Sequence, residues 1–417
     1  MDILDDLQWR GLVQQHTNLD ALRAHLAESP VTVYCGFDPT ADSLHVGSLV
    51  PLLTLRRFQN AGHKAIALAG GATGMIGDPG GRSTERSLND AETVTAWTER
   101  IRGQLARIVD LDAGILENNY EWTAGMSAID FLRDVGKHFT VNYMLAKESV
   151  STRLSGEGIS FTEFSYMLLQ SLDFQVLYDR HGCTLQIGGS DQWGNITAGI
   201  ELLRRTRGVQ GHAVTLPLIT KSDGEKFGKS VAGAVWLDPA KTSPYAFYQF
   251  WLGVDDADAT RFLRIFTFLD RAAIEEVEKE HAERPQARPA QRALAAHMTA
   301  MIHGDEALNA VQHASEVLFG SGDVASVDPA LLADALAEAP SATVPRAALP
   351  ALPALLVELG LAKSLSDARG RVQQGGVYVN GARAEDPNWQ PSEADLLHDR
   401  YLVLRSGKRH YGLLRAE

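Results

Sequence analysis

His45, Lys226 and Lys229 are the side chains of this 417-residue chain best placed by type and spacing to handle phosphate. His45-Val46-Gly47-Ser48 stands where a strand hands over to a helix, and a helix N-terminus offers free N–H groups and a positive dipole end to an anion. Gly47 leaves its backbone open to a ring or a phosphate. Lys226 and Lys229 lie in KSDGEKFGKSVAG, where Gly224, Gly228 and Gly233 permit a mobile loop. Its ammonium groups could close over a triphosphate and stabilise charge as it develops. Taken singly, His45 is an N-cap, the lysines are a solvated basic loop, and Asp38 and Thr40 are turn residues. The two stretches together favour ATP handling. No G-x-x-x-x-G-K-[ST] loop is present, so kinase and GTPase chemistry loses its strongest support.

Tyr166, Gln170 and Asp173 form a second group. On FTEFSYMLLQSLDF they recur at i, i+4 and i+7 and share one helix face. A polar stripe in an apolar helix is costly in a core unless it meets a ligand or hydrogen-bonding neighbours, and spacing leaves both readings open. Asp78 stands at the tip of GGATGMIGDP (70–79), where it suits an ammonium group, although such a Gly-rich strand end also describes a tight turn.

The elements that must carry these residues follow from apolar patterning. Residues 31–40 (VTVYCGFDPT) read as a strand, about 45–60 as a helix in which Pro51 falls early, and 64–70 (KAIALAG) as a buried strand. Such a crossover begins a doubly wound parallel α/β sheet, with ligands at the carboxyl ends of the strands. Helices are expected at 90–110 and 163–180, and a buried strand at 183–189 (CTLQIGG), in a Rossmann-like catalytic domain over 1–220. A loop and a mainly helical domain occupy 221–320. Residues 321–350, rich in Ala and Pro, read as a linker. A small α+β module fills 351–417, with helices at 352–360 and 364–374, a strand VYVN and one final strand YLVLRSGKRHYGLL.

Composition sets outer limits. With 45% hydrophobic and 22% charged residues the chain can bury sizeable cores. It has no apolar run of membrane-spanning length and an acidic start, MDILDD, so a cytoplasmic protein is expected. Cys35 and Cys183 offer neither a disulfide framework nor metal-ligand spacing. The net charge of −13 argues against a polyanionic partner for the whole chain, yet residues 351–417 carry nine Lys plus Arg against eight Asp plus Glu. Arg369, Arg371, Arg405, Lys408 and Arg409 could form a basic face there.

YCGFDPTADSLHVGS, GGATGMIGDP, VGKHFTVNYMLAKESV, SFTEFSYMLLQ, LQIGGSDQWGNI and KFGKS, in this order, resemble the bacterial tyrosyl-tRNA synthetases, a family of class I aminoacyl-tRNA synthetases. HVGS stands in the place of the family's HIGH signature and KFGKS in that of KMSKS. LAKSLSDARGRVQQGGVYVNG is similar to an RNA-binding module shared with a ribosomal protein. The resemblance implies activation of L-tyrosine by ATP and transfer of the tyrosyl group to tRNA(Tyr). It assigns the departing phosphates to His45, Thr40, Lys226, Lys229 and Ser230, with Arg82 and Arg86 assisting. It assigns the substrate ammonium to Asp78, Tyr166 and Gln170, its carboxylate to Gln192, and its phenol to Tyr34 and Asp173. Gly36, Gly189 and Asp191 would meet the ribose, with Cys35 nearby, and Asp38, Gly47 and Ser48 complete the ATP side. Buried polar groups at the phenol penalise a ligand lacking its hydroxyl, a behaviour for which this family is the type example, so no editing domain is required.

The resemblance further implies Mg2+ accompanying ATP, no tightly bound cofactor, no protein-held metal, and a homodimer. Two positions depart from the family pattern: Ser48 replaces the second His of HIGH, and Arg82 stands where Lys is common. Three rival readings are an RNA-binding synthetase relative without catalysis, the same chemistry on tryptophan, and a nucleotidyltransferase acting on a small molecule. The presence of His45, Lys226 and Lys229 weighs against the first, Tyr34 with Asp173 against the second, and the C-terminal module against the third.

Overall fold

A computed structural model of the chain describes residues 2–80, 88–156, 158–225, 227–230, 233–320, 322–407 and 410–417. Arg82, Arg86, Lys226, Lys408 and Arg409 lie outside the described residues, as do the side chains of Lys229 and Ser230. Two compact units are present, one of residues 1–241 and 253–294, the other of 242–252 and 295–417.

The first unit is built on six strands, β1 (Gln15–His16), β2 (Thr32–Phe37), β3 (Lys64–Ala69), β4 (Gly114–Asn118), β5 (Cys183–Gly189) and β6 (His212–Leu216). They lie in the order β1-β6-β5-β2-β3-β4. β1 runs antiparallel to β6, and the others are mutually parallel. β3 is buried except at Lys64 and β6 throughout, the continuous apolar pattern of strands covered on both faces. From β2 the chain winds outward to β4, then returns to the other side of β2 for β5 and β6. The reversal between β2 and β5 is the switch point at which open parallel sheets bind ligands. The doubly wound α/β sheet expected from the sequence is therefore present.

Two helices bring the polar stripe and the His45 turn to that point. Leu49–Asn60 links β2 to β3, and Pro51 sits in its first turn, where the missing N–H has no intrahelical partner to lose. Phe161–His181 starts at Ser160, whose hydroxyl accepts from the Glu163 N–H, and stops at Gly182 in the left-handed conformation (φ 63°). A buried ion pair, Arg153 Nη2 to Glu163 Oε2 at 2.9 Å, ties the preceding segment to its first turn. Within the Lys-bearing loop, β7 (Lys229–Ser230) pairs antiparallel with β8 (Gly233–Ala234).

The mainly helical domain expected within 221–320 is helical but divided: Pro244–Leu252 belongs to the second unit, Asp256–Phe266 and Arg271–Glu283 to the first, and the boundary falls within Pro289–His303. The second unit contains a five-stranded sheet of β9 (Ser341–Val344), β10 (Val377–Val379), β11 (Ala382–Arg383), β12 (Tyr401–Ser406) and β13 (His410–Ala416), in the order β11-β10-β12-β13-β9.

Two expectations are corrected there. Residues 321–350 are no linker: β9 pairs parallel with β13, and Val324, Val327, Leu332 and Leu336 pack with Tyr401, Val403 and Leu413. Elements of three to seven residues are too short to show an apolar period, and the Ala and Pro content concealed them. The single final strand is two, β12 and β13, paired antiparallel as far as Ser406 and His410. The Ser-Gly step is the turn signal, with Gly407 at φ 68°. Among the described residues no helix is long and apolar enough to cross a membrane.

Candidate active site

A cavity of about 240 Å3 opens at the carboxyl ends of β2 and β5. Strand β2 contributes Tyr34, Cys35 and Gly36, and Asp38 follows just beyond it; the loop after β3 contributes Asp78. The helix Phe161–His181 presents Tyr166, Gln170 and Asp173 together, so its polar stripe faces the cavity. Gly189, Asp191 and Gln192 close the β5 side. A Cβ at Gly36 would meet no atom within 4 Å, which leaves bare backbone facing open space. A Cβ at Gly189 would lie 2.4 Å from Asp191 Oδ1, so that carboxylate takes its position only over a glycine. Burial pushes the Cys35 thiol up to about 12 and keeps it protonated.

One end of the cavity is buried and polar. Asp173, 2% exposed, accepts from Trp122 Nε1 at 2.9 Å and from Asn119 Nδ2 at 3.0 Å. Burial nevertheless raises its carboxyl to about 7, partly offset by those two hydrogen bonds and reinforced by the charge of Asp38. The Tyr34 hydroxyl is buried and has no hydrogen-bond partner among the described residues. Burial, then the nearby Asp173, lifts its pKa well above the ordinary phenol value, so it is a donor at neutral pH. An unpaired phenolic O–H beside a carboxylate is equipped to hold a second hydroxyl, donating to it and accepting from it.

The middle of the cavity is a carboxylate cage. The Tyr166 hydroxyl donates to Asp38 Oδ2 at 2.7 Å, and Thr73 Oγ1 donates to Asp38 Oδ1 at 2.6 Å. Asp78 accepts from the Gly80 N–H at 2.9 Å and from Gln192 Nε2. Two carboxylates and two amide side chains around one space suit a cation such as an ammonium group.

Thr40, His45, Gly47 and Ser48 stand outside the cavity lining. His45 caps the turn Val46–Ser48, its Nδ1 accepting from the Gly47 N–H at 3.0 Å, which leaves Nε2 to carry the ring proton. A Cβ at Gly47 would lie 2.7 Å from His45 Cε1: the glycine makes room for the histidine's own ring. The Lys-bearing loop reaches the same turn. Gly228, at φ 94°, packs on Val46 and Gly47, its carbonyl accepts from the Val235 N–H at 3.1 Å, and the Val235 carbonyl accepts from Val46 at 2.9 Å. The two motifs, far apart in sequence, are thus joined through backbone. Thr40 is exposed.

Sequence reasoning missed Thr73, Asn119, Trp122 and Gln186. Gln186 lines the cavity with a buried Oε1 that has no hydrogen-bond partner among the described residues. A polar residue in the middle of CTLQIGG was its legible signal. Asn119 follows the end of β4, where a parallel sheet presents its ligand-binding residues.

A family model described as "tRNA synthetases class I (W and Y)" matches residues 26–320. The chain belongs to the class I tRNA synthetases. A second model, "Tyrosine--tRNA ligase SYY-like C-terminal domain", matches residues 332–414 of this synthetase. A tyrosine–tRNA ligase of Streptomyces griseus is 59% identical over 415 residues, covering 98% of this chain and 97% of that relative. Another from Mycobacterium bovis is 57% identical over 412 residues, with 98% and 97% covered. Among solved structures, a C-terminally truncated mitochondrial tyrosyl-tRNA synthetase of Aspergillus nidulans superposes with a TM-score of 0.69 at 31% identity, covering 76% of this chain and 94% of that one. A synthetase of this class takes ATP as substrate, and the reading of the chain as a catalytically silent relative is not favoured.

Proposed function

We infer that the chain activates L-tyrosine with ATP, forming tyrosyl-adenylate and pyrophosphate, and then passes the tyrosyl group to the terminal adenosine of tRNA(Tyr). The observation that carries this reading is the buried Tyr34 hydroxyl beside Asp173 at the closed end of the cavity. A phenol reaching that end donates to Asp173 and accepts from Tyr34. Phenylalanine would leave the Tyr34 hydroxyl unpaired and bring no third donor to Asp173, and a buried polar group without a partner costs about 1–3 kcal/mol.

With the ring so placed, Asp78, Tyr166 and Gln170 hold the ammonium and Gln192 the carboxylate. A carboxylate oxygen attacks the α-phosphorus, the bond to the β-phosphate oxygen breaks, and pyrophosphate departs. The protein's part is positioning and charge stabilisation. His45 and Thr40, with Lys226, Lys229 and Ser230, bind the leaving phosphates, assisted by Arg82 and Arg86. Gly36, Asp38, Gly189 and Asp191 border the adenylate. Mg2+ arrives with ATP as part of the substrate. In the second step an adenosine hydroxyl attacks the acyl carbon and AMP leaves.

The protein is proposed to work in the cytoplasm as a homodimer. Ile129, Leu132, Val141 and Phe161 are 71, 56, 60 and 76% exposed within one stretch of chain, an apolar exposure that suits a protein contact. The helical segments and the C-terminal module are proposed to meet tRNA.

The test is amino-acid-dependent exchange of labelled pyrophosphate into ATP, run with all twenty amino acids and without tRNA. Exchange with tyrosine alone is expected; exchange with tryptophan, or none at all from folded protein, sinks the reading. Sedimentation of Phe161→Asp beside the parent, with a shift to monomer expected, tests the dimer.

A further inference from the structure

Two arginines are buried against the end of one helix. Arg57, 4% exposed, donates from Nη2 to the carbonyls of Ile265 and Thr267, both at 2.8 Å. Arg10 donates to the carbonyls of Arg264 at 2.8 Å, Thr267 at 3.2 Å and Leu269 at 2.8 Å. The carbonyls at the end of a helix lack intrahelical partners and carry the negative end of its dipole, so two guanidinium groups satisfy both needs of the helix Asp256–Phe266. The arrangement is costly. Arg57 Nε and Nη1 have no partner among the described residues, and burial, then the charge of Arg10, pushes Arg57 down to about 9.

What the clamp holds gives it a purpose. Phe227, inside the Lys-bearing loop, packs on Phe262 at 4.8 Å and Phe266 at 5.0 Å between ring centroids, both on that same helix. The Ser222 N–H donates to Asp258 Oδ2 at 2.8 Å, and Arg261 reaches the Thr220 carbonyl. The loop is therefore seated on the helix from its first turn to its last. Arg57 belongs to the helix Leu49–Asn60, which begins directly after the His45 turn, about 12 Å of rigid helix away.

We propose that Arg57 is a positioning residue for adenylation: by fixing the helix Asp256–Phe266 to the helix that begins at the His45 turn, it sets where Phe227, and with it the Lys229 backbone, stands relative to His45. This rests on the adenylation reading above. Arg57 touches no reacting atom; its effect passes through packing.

The test compares the parent, Arg57→Met, Phe227→Ala and the double variant by single-turnover adenylate formation at saturating ATP and by tyrosine affinity at equilibrium. Each single variant is expected to slow adenylation about 10- to 100-fold, the scale of an ångström-sized misplacement, with tyrosine affinity within about twofold of the parent. The double variant is expected to be no slower than the slower single one, since both interrupt one linkage. Phe227→Met, keeping the apolar anchor, is expected to recover most of the rate. If Arg57→Met does not fold, Arg57→Lys, which keeps the charge, takes its place. Multiplying effects in the double variant, a parallel loss of tyrosine affinity, or a parent-like rate in either single variant would overturn the proposal. An inactive parent would overturn the adenylation reading instead.

Discussion

Asn119 holds Asp173 and reaches Thr73 with the same amide: Nδ2 donates to Asp173 Oδ2 at 3.0 Å and to Thr73 Oγ1 at 2.9 Å, while Oδ1 accepts from the Ala72 N–H at 2.7 Å. Thr73 in turn donates to Asp38, which accepts from Tyr166. One hydrogen-bonded chain thus runs from the closed end of the cavity to its carboxylate cage, and changes at one end are felt at the other.

That chain predicts a pH effect. Asp173 stands at about 7 because burial outweighs the hydrogen bonds from Asn119 and Trp122. It must be ionised to accept from a phenol most strongly, so tyrosine affinity is expected to rise as pH increases through about 7. Asn119→Ala removes one bond that favours the charged form and moves the titration higher. At neutral pH the variant is expected to bind tyrosine more weakly and to approach the parent at higher pH. Tyrosine dissociation constants across the range check this; a deficit that stays constant with pH refutes it.

The two ends of the site are expected to separate in kinetics. Asp173→Ala removes the proposed acceptor for the phenol and is expected to reduce discrimination of tyrosine over phenylalanine by about 10- to 100-fold, the worth of a hydrogen bond to a charged group. Lys229→Ala is expected to slow adenylation by about 100-fold or more, as loss of one transition-state donor does, with tyrosine affinity kept. Pyrophosphate exchange and equilibrium binding on both variants decide it. Equal loss of tyrosine affinity in the two would end this division of labour.

A histidine cluster lies at the other end of the sheet. His25 stacks on His212 with ring centroids 5.0 Å apart, and His25 Nε2 bonds Thr184 Oγ1 at 2.8 Å. Burial, then the charge of His25, lowers His212, while His63 is lowered chiefly by burial, against an opposing effect of Asp2 and with a smaller lowering from His25. Groups whose pKa falls on folding contribute stability above their unfolded value, near 6.5, that is lost as pH drops through the folded value. Asp173, raised on folding, has the opposite sign but is common to parent and variant. His25→Gln is therefore expected to lose less melting temperature than the parent between about pH 7.5 and 5.5. Equal losses count against the cluster.

The legible parts of this chain were those whose chemistry is local. The i, i+4, i+7 stripe of Tyr166, Gln170 and Asp173 fixed its face from spacing alone, and the apolar runs of β2, β3 and β5 marked the parallel sheet. Asn119 and Trp122 stayed hidden because their role comes from meeting Asp173 across some fifty residues. Asp38 reads as a turn residue until Tyr166 is seen to donate to it. Arg57 looks like any helix cation, and only tertiary packing buries it. Residues 321–350 escaped because a four-residue strand such as β9 is specified by its partner β13 rather than by its own pattern.

Gly47 offers a test in which no functional group is removed. Its N–H donates to His45 Nδ1, and a Cβ there would stand 2.7 Å from Cε1 and 2.9 Å from Nδ1 of the same ring. The backbone at Gly47 is not left-handed, so alanine meets no intrinsic strain and the conflict falls on the imidazole. The ring must swing away and give up its hydrogen bond, displacing Nε2 from the position proposed to meet the phosphates. Gly47→Ala is expected to cut the adenylation rate about 100-fold while tyrosine affinity and, to within about 1 kcal/mol, stability are kept. Single-turnover rates, tyrosine binding and thermal melting measured together distinguish this from a folding defect. A parent-like rate would show that the placement of the His45 ring is unimportant to the departing phosphates.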